Sequence, residues 1–233
     1  MRVLRSLLYA ALFYPATALF VVLGISASLF GRRPMFTMVL CWANFNHWLC
    51  RNLLGIEFRV EGAVPPGAHL IAVKHQSMLE TLEMVRIADL PVIVIKRELA
   101  DLPLFGRITR IYGIIAVERS AGAKALRNLV AEGKKAVASG RQIVIYPEGT
   151  RVPVGTTPPL KPGFAALYRA IGLPVVPVAL DSGRVWGRGL VHQPGTVTFR
   201  IGETIPAGLR RDEIEARVHA AINALELGAE AGA

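Results

Sequence analysis

The sequence predicts an α/β protein: a mixed, mainly parallel sheet flanked by helices, preceded by an N-terminal membrane-inserted helical segment. Three observations lead there. An uncharged run from Ser6 to Gly31 is longer than a hydrocarbon core requires. From about Leu54, short apolar runs alternate with helix-patterned stretches, as strands joined by helices do. Several of these runs, Pro91–Ile95 among them, are β-branched almost throughout, the mark of strands buried on both faces. The boundaries that follow are 1–53 for the membrane helices, 54–227 for the α/β domain and 228–233 for a disordered tail.

The first run lies between Arg2 and Arg5 on one side and Arg32 and Arg33 on the other. As a helix it would extend about 39 Å, against about 30 Å of hydrocarbon. It is too long for a signal-peptide core, so it is expected to be retained. Pro15 and Gly24 are candidate kinks. Pro34–Cys50 is a second uncharged stretch, with Trp42 and Trp48 suited to the headgroup level. Arginines flank both runs, so charge asymmetry does not set an orientation. Two arrangements stay open: one span followed by an interfacial helix, or a hairpin that dips into one leaflet and keeps every arginine cytoplasmic. Cys41 and Cys50 make neither a disulfide framework nor a zinc site, and a reducing compartment follows.

Composition points the same way. The chain is 52% hydrophobic and carries a net charge of +10, with a mean hydropathy of +0.42. A basic and apolar chain suits an anionic membrane. Nucleic acid is not expected as a partner, because no helix-turn-helix, zinc-finger or RNP pattern is present.

In the α/β part, Ile56–Val60 and His69–Val73 read as strands, joined through Pro65-Pro66-Gly67. Met78–Ile87 reads as a helix and Pro91–Ile95 as a central strand. Leu102–Ile111 is helical, Gly113–Val117 a strand, and Ala123–Ala138 a helix ending at Gly140. Gln142–Ile145 is a strand and Lys161–Ile171 a helix. Pro174–Leu180 is a strand, Thr196–Ile201 an alternating edge strand, and Arg211–Leu227 a last helix.

The chemistry concentrates where Leu70–Val73 runs into Lys74-His75-Gln76-Ser77-Met78-Leu79-Glu80. On one regular helix, His75 and Glu80 would diverge by about 500°. If His75 lies just before a helix capped by Ser77, the turn can bring the Glu80 carboxylate onto the imidazole. A histidine oriented by a carboxylate is a general base. A second stretch, Ile143–Arg151, runs from a buried strand into Pro147-Glu148-Gly149-Thr150-Arg151. Gly149 permits close backbone approach, and Arg151 offers a planar fork for phosphate. Glu148 would pair with Arg151 or hold a substrate hydroxyl. Lys96 and Arg119 likewise follow apolar strands. Parallel strands would gather these cations and His75 at one sheet edge, as an anion site beside a base. No metal is needed for this chemistry, and no Gly-x-Ser-x-Gly elbow is present.

Together these residues resemble the glycerolipid acyltransferases, specifically the 1-acylglycerol-3-phosphate O-acyltransferase family. Four blocks occur in the family's order: His75 to Glu80, Gly113 to Arg119, Tyr146 to Arg151, and Val175 to Val178. Glu80 stands where the family has aspartate. Lys74 stands where asparagine is usual, adding a charge that would oppose protonation of His75. The resemblance implies His75 and Glu80 as catalytic residues, and Arg119, Glu148, Gly149, Thr150 and Arg151 as substrate-binding residues; Lys96 joins that set on its place after the Pro91–Ile95 strand. Leu79, Leu104 and Phe105 are candidates for lining an acyl groove. The implied reaction moves an acyl chain from acyl-CoA or acyl carrier protein to the free hydroxyl of 1-acyl-glycerol 3-phosphate, giving phosphatidic acid. No cofactor is expected beyond the thioester donor. The implied place is the cytoplasmic face of the cell membrane, with membrane lipid and a lysophospholipid as partners. Two alternatives stand beside it: another lysolipid acceptor, such as lyso-ornithine lipid, or a non-enzymatic membrane lipid-binding protein.

Overall fold

The computed structural model describes residues 1–118 and 122–227, with the backbone alone at Leu227. Helix α1 (Arg2–Ser28) runs unbroken through Pro15 and Gly24. It turns at Gly31, whose φ of 113° suits a residue without Cβ, into α2 (Arg32–Leu49). The two helices return on one another as a hairpin. Tyr9 Oη donates to Asn46 Oδ1 at 2.6 Å, Trp42 Nε1 donates to Thr17 Oγ1 at 3.0 Å, and Phe20 packs on Phe45. So Trp42, expected at the headgroup level, spends its indole N–H inside the hairpin. Trp48 remains 56% exposed.

A π-helical turn, Cys50–Leu54, leads into the domain. The strands are β1 (Ile56–Glu61), β2 (Leu70–Val73), β3 (Val92–Lys96), β4 (Ile115–Val117), β5 (Ile143–Ile145), β6 (Val175–Leu180) and β7 (Gly195–Ile201). The helices are α3 (Leu79–Ile87), α4 (Arg97–Ala100), α5 (Phe105–Tyr112), α6 (Gly122–Val137), α7 (Pro162–Ile171), α8 (Arg211–Ile222) and α9 (Ala224–Leu227). They form one seven-stranded sheet in the order β1-β7-β6-β2-β5-β3-β4. β2 pairs parallel with both β5 and β6, β3 with β5 and β4, and β7 antiparallel with β6. The expected mixed, mainly parallel sheet is what forms.

Alternation along the strands divides two cores. Ile71, Val73 and Val176 face Tyr9, Phe13, Leu49 and Met84, so the hairpin and α3 cover one face. Leu70, Ala72 and Ile143 face Leu129, Phe164 and Val218, so α6, α7 and α8 cover the other. The hairpin shares its buried side with the sheet. Its opposite side leaves Leu4, Leu8, Leu12 and Leu19 each at least 44% exposed. Among the described residues, α1 alone is long and apolar enough to cross a membrane.

Two segment boundaries differ from expectation for local reasons. The stretch Leu102–Ile111 begins helically only at Phe105, after Pro103 and after Leu104 at φ 60°. The last helix breaks at Asn223. The tail Gly228–Ala233 lies outside the described residues. At the amino edge of the sheet, Arg141 donates to the carbonyls of Leu90, Tyr112 and Pro91 at 2.8, 2.8 and 3.0 Å. Its guanidinium also lies 4.4 Å from the Tyr112 ring centroid. Arg141→Ala strips donors from three carbonyls, and a loss of about 2–4 kcal/mol is expected, read as a lower thermal midpoint.

Candidate active site

The site forms where β2 ends. Lys74 N donates to Val178 O at 3.0 Å, after which the chain leaves the sheet. Alternation sends the Lys74 side chain to the α8 face and His75 to the other. His75 Nδ1 meets Glu80 Oε1 at 2.9 Å. Glu80 Oε1 also accepts the N–H groups of Gln76 and Ser77, both at 2.7 Å. Its Oε2 accepts the hydroxyls of Ser77 at 2.5 Å and Ser182 at 2.7 Å. Ser77 caps α3 as its position suggested: Oγ accepts Leu79 N–H at 3.0 Å, while Glu80 returns to the Ser77 amide. The Ser77 hydroxyl is 1% exposed at the residue level and bound on both sides, so it serves the cap and Glu80.

Burial would push the Glu80 carboxyl up. The hydrogen bond and charge of His75, then the bonds from Ser77, outweigh burial and hold it below the ordinary carboxylate range. An ionised Glu80 fixes the proton on Nδ1 and leaves Nε2 as the basic nitrogen. The imidazole side chain is 14% exposed, and its ring packs 4.3 Å from the Tyr146 ring. Glu80→Gln should lower turnover by about 10²-fold or more, because it removes the charge that stabilises the imidazolium. Glu80→Asp should lower it less. Equal turnover in Gln and parent enzymes would dismiss the orienting role.

Behind this dyad lies a second, buried charge pair. Lys74 and Glu148 have fully buried side chains and meet at 2.7 Å. The remaining Lys74 donors reach Thr156 O at 2.7 Å and Asn223 Oδ1 at 2.6 Å. Glu148 Oε2 accepts the His75 backbone N–H at 2.9 Å. The Lys74 charge is therefore matched by Glu148 and turned to the α8 face, so it does not act as the bare charge beside His75 that the sequence suggested. Glu148, expected to bind Arg151 or a substrate hydroxyl, instead has both oxygens committed to Lys74 and the His75 backbone. Gln76 is held in turn: Nε2 donates to Glu226 Oε1, and Oε1 accepts Gly183 N–H at 2.9 Å. The second oxygen of Glu226 accepts Gly155 N–H.

The Pro147–Arg151 turn follows β5, which is hydrogen-bonded to β2. Val152 N donates to His75 O at 2.7 Å, placing the turn directly against the dyad. Gly149 sits at φ 69°, and a Cβ there would come within 2.8 Å of Lys161 Cγ. Thr150 and Arg151 are exposed beside it. Lys96 ends β3 on the same edge, exposed and paired with Glu98 at 2.9 Å. Arg119 lies outside the described residues.

Sequence reasoning missed Gln76, Ser182, Asn223 and Glu226. For Lys74 a signal existed, since a charge closing a four-residue buried strand must find a partner. Asn223 and Glu226 meet their partners 149 and 150 residues away, which no local pattern announces. Among the described residues, no three His, Cys, Asp or Glu side chains gather as a metal site would require.

Two cavities lie nearby: one reaches Thr81, next in sequence to Glu80, and the other reaches Tyr146, whose ring packs on His75. An apolar one of about 120 Å³ lies between the hairpin and α3, α5 and β3, lined by Phe20, Val21, Met38, Trp42, Leu82 and Phe105. Leu79 is fully buried and Leu104 is 56% exposed, so of the three expected groove residues only Phe105 lines it. A cavity of about 510 Å³ opens on the other side of β3, reaching Val117, Leu126, Tyr146, Gly149 and Lys161. Ile95 lines both.

A histidine bonded to a carboxylate at a parallel-sheet edge, beside a glycine turn with an exposed arginine, is an arrangement able to take a proton from an attacking hydroxyl. Comparison with known proteins specifies the class. The model of the acyltransferase family matches residues 55–181, which cover the whole of this site. The chain belongs to the acyltransferase family. It is 36% identical over 169 residues to the 1-acyl-sn-glycerol-3-phosphate acyltransferase of Pseudomonas aeruginosa, covering 71% of this chain and 66% of that protein. It is 30% identical over 153 residues to the human 1-acyl-sn-glycerol-3-phosphate acyltransferase beta, covering 64% of this chain and 55% of that protein. It is also 27% identical to the lyso-ornithine lipid O-acyltransferase of Brucella abortus, over 66% of this chain and 62% of that protein. The matches thus span between about half and two thirds of these relatives. The crystal structure of the 1-acyl-sn-glycerophosphate acyltransferase of Thermotoga maritima shares the fold, with a TM-score of 0.79 at 19% identity, covering 99% of this chain and 98% of that one.

Proposed function

We propose that this protein moves an acyl chain from a thioester, acyl-CoA or acyl carrier protein, to the free hydroxyl of 1-acyl-glycerol 3-phosphate, giving phosphatidic acid. The observation that carries the reading is the His75–Glu80 pair, 2.9 Å apart, on a backbone bonded to the strand end that bears Arg151. His75 Nε2 takes the hydroxyl proton as the oxygen attacks the thioester carbonyl. The tetrahedral intermediate collapses, the C–S bond breaks, and the imidazolium returns its proton to the departing thiolate. Glu80 holds the tautomer and stabilises the imidazolium. The Gln76 and Ser77 amides are occupied by Glu80. The Gly149 N–H is likewise spent on Tyr146 O, so the oxyanion falls to a later amide of the same turn, at Thr150 or Arg151.

Arg151 grips the acceptor phosphate, with Lys96 and Lys161 on the same rim; Arg119 joins them on its sequence position. The apolar cavity under the hairpin suits a hydrocarbon chain. The exposed apolar side of α1 suits the bilayer in which acceptor and product reside, with the catalytic edge at the cytoplasmic face. Arg151→Ala should raise acceptor KM about tenfold or more, with a smaller effect on donor KM. An unchanged acceptor KM would detach Arg151 from the phosphate. The acceptor itself is tested by a panel of lysophosphatidate, lyso-ornithine lipid and glycerol 3-phosphate, each with both thioester donors. The similarity to the Brucella protein keeps lyso-ornithine lipid as the second reading. Preferential acylation of it would replace the first.

A further inference from the structure

The connection from β6 to β7, residues 181–194, is long for a sheet connection and is tied to both the site and the hairpin. Its start serves the dyad, since Ser182 bonds Glu80 and Gly183 bonds Gln76. Its middle is closed at the neck, where Gln193 N donates to Val185 O at 2.8 Å. Trp186 and His192 stack there at 3.7 Å between ring centroids. Both rings meet the edge or face of Tyr9 on α1. His192 N donates to Ser6 Oγ at 2.9 Å, and Arg2 donates to Gln193 Oε1 at 3.1 Å. Between these anchors, Gly187-Arg188-Gly189-Leu190-Val191 projects, with Leu190 72% and Val191 45% exposed.

A lone exposed leucine means little. Here two apolar residues stand at the tip of a loop whose base is pinned to the first turns of α1. There Leu4, Leu7 and Leu8, on either side of Ser6, are themselves exposed. Arg188 is exposed within this tip, Arg2 meets Gln193 at its base, and Arg5 follows on the same first turns of α1. The remaining contact is the informative one: Arg188 Nη2 donates to the carbonyl of Arg151 at 2.9 Å.

We infer that residues 187–191 enter the headgroup layer of an anionic bilayer beside the start of α1, and through Arg188 hold the Arg151 turn against the lipid surface. The inference rests on the reading of α1 as the membrane-facing helix. Two apolar side chains entering the interface add attraction in proportion to the area they bury, and the arginines add attraction to anionic lipid. The loop would then be a second contact, set beside the phosphate-gripping turn, that fixes where the acceptor's head arrives.

The test uses the full chain in a Cys41→Ser background, since Cys41 is exposed and Cys50 buried. An environment-sensitive fluorophore is attached through Leu190→Cys or, as a control, Leu8→Cys, and vesicles rich in phosphatidylglycerol are added. Both labels should shift to the blue, and both should be quenched by lipids spin-labelled near the headgroup. A response at position 8 without one at position 190 overturns the inference and leaves the membrane reading of α1 standing. Silence at both positions removes both. In a second arm, Leu190→Asp combined with Val191→Asp should raise the apparent KM for vesicle-borne acceptor about tenfold. The same variant should leave a water-dissolved short-chain acceptor unaffected. Equal losses in the two formats would assign the loop to fold maintenance and overturn the inference.

Discussion

Replacing His75 by alanine is expected to lower acyl transfer by about 10³–10⁴-fold, equivalent to roughly 4–5.5 kcal/mol of transition-state stabilisation. Folding and vesicle association should change little. Glu80 keeps its donors from Gln76, Ser77 and Ser182 when the imidazole is gone. The ring is partly exposed and packs mainly on Tyr146. The measurement is labelled acyl transfer to lysophosphatidate by purified variant and parent, alongside circular dichroism and vesicle co-sedimentation. Undiminished transfer would remove the proposed base. Loss of transfer together with loss of folding would show that His75 is needed for the structure, and His75→Gln would then separate the roles.

The second large effect belongs to Lys74. Lys74→Met leaves Glu148 buried with one oxygen unpaired, and also strips partners from Thr156 O and Asn223. Breaking a buried pair from one side costs about 3–5 kcal/mol, which lowers the thermal midpoint by roughly 10 °C or more in a chain of this size. The double variant, Lys74→Met with Glu148→Gln, removes the uncompensated charge and should recover more than half of that loss. Transfer should recover less than stability does, because the His75 backbone N–H then donates to a neutral amide oxygen in place of a carboxylate. A double variant as unstable as Lys74→Met alone would show that packing, and not charge, dominates this position.

Much of this was legible in residue order. Pro91–Ile95 and Pro174–Leu180 announced buried strands because β-branched runs fit a pleated, two-sided core, and both strands formed within a residue or so of expectation. The proximity of His75 and Glu80 followed from placing a turn before the helix, where the helix alone would have parted them. Other features depended on distant partners. Asn223 looked like an ordinary position in a long helix. In the structure its Oδ1 meets the Lys74 ammonium and its Nδ2 meets His219 O, and the helix breaks there. Glu148 looked like a neighbour for Arg151. The parallel pairing of β2 with β5 instead put it beneath the His75 amide. Trp42 carried the composition of a headgroup anchor, but Thr17 on the opposite limb offered its N–H an acceptor.

The clasp of Asn223 and Glu226 on the His75 turn has a consequence for biosynthesis. Translation delivers the hairpin first and these two partners about 150 residues after the turn they secure. Contacts so distant along the chain close late. On the proposed membrane reading of the hairpin, a nascent polypeptide would be moored in lipid while the His75 turn was still unsecured, and competence would arrive only once this last clasp shut.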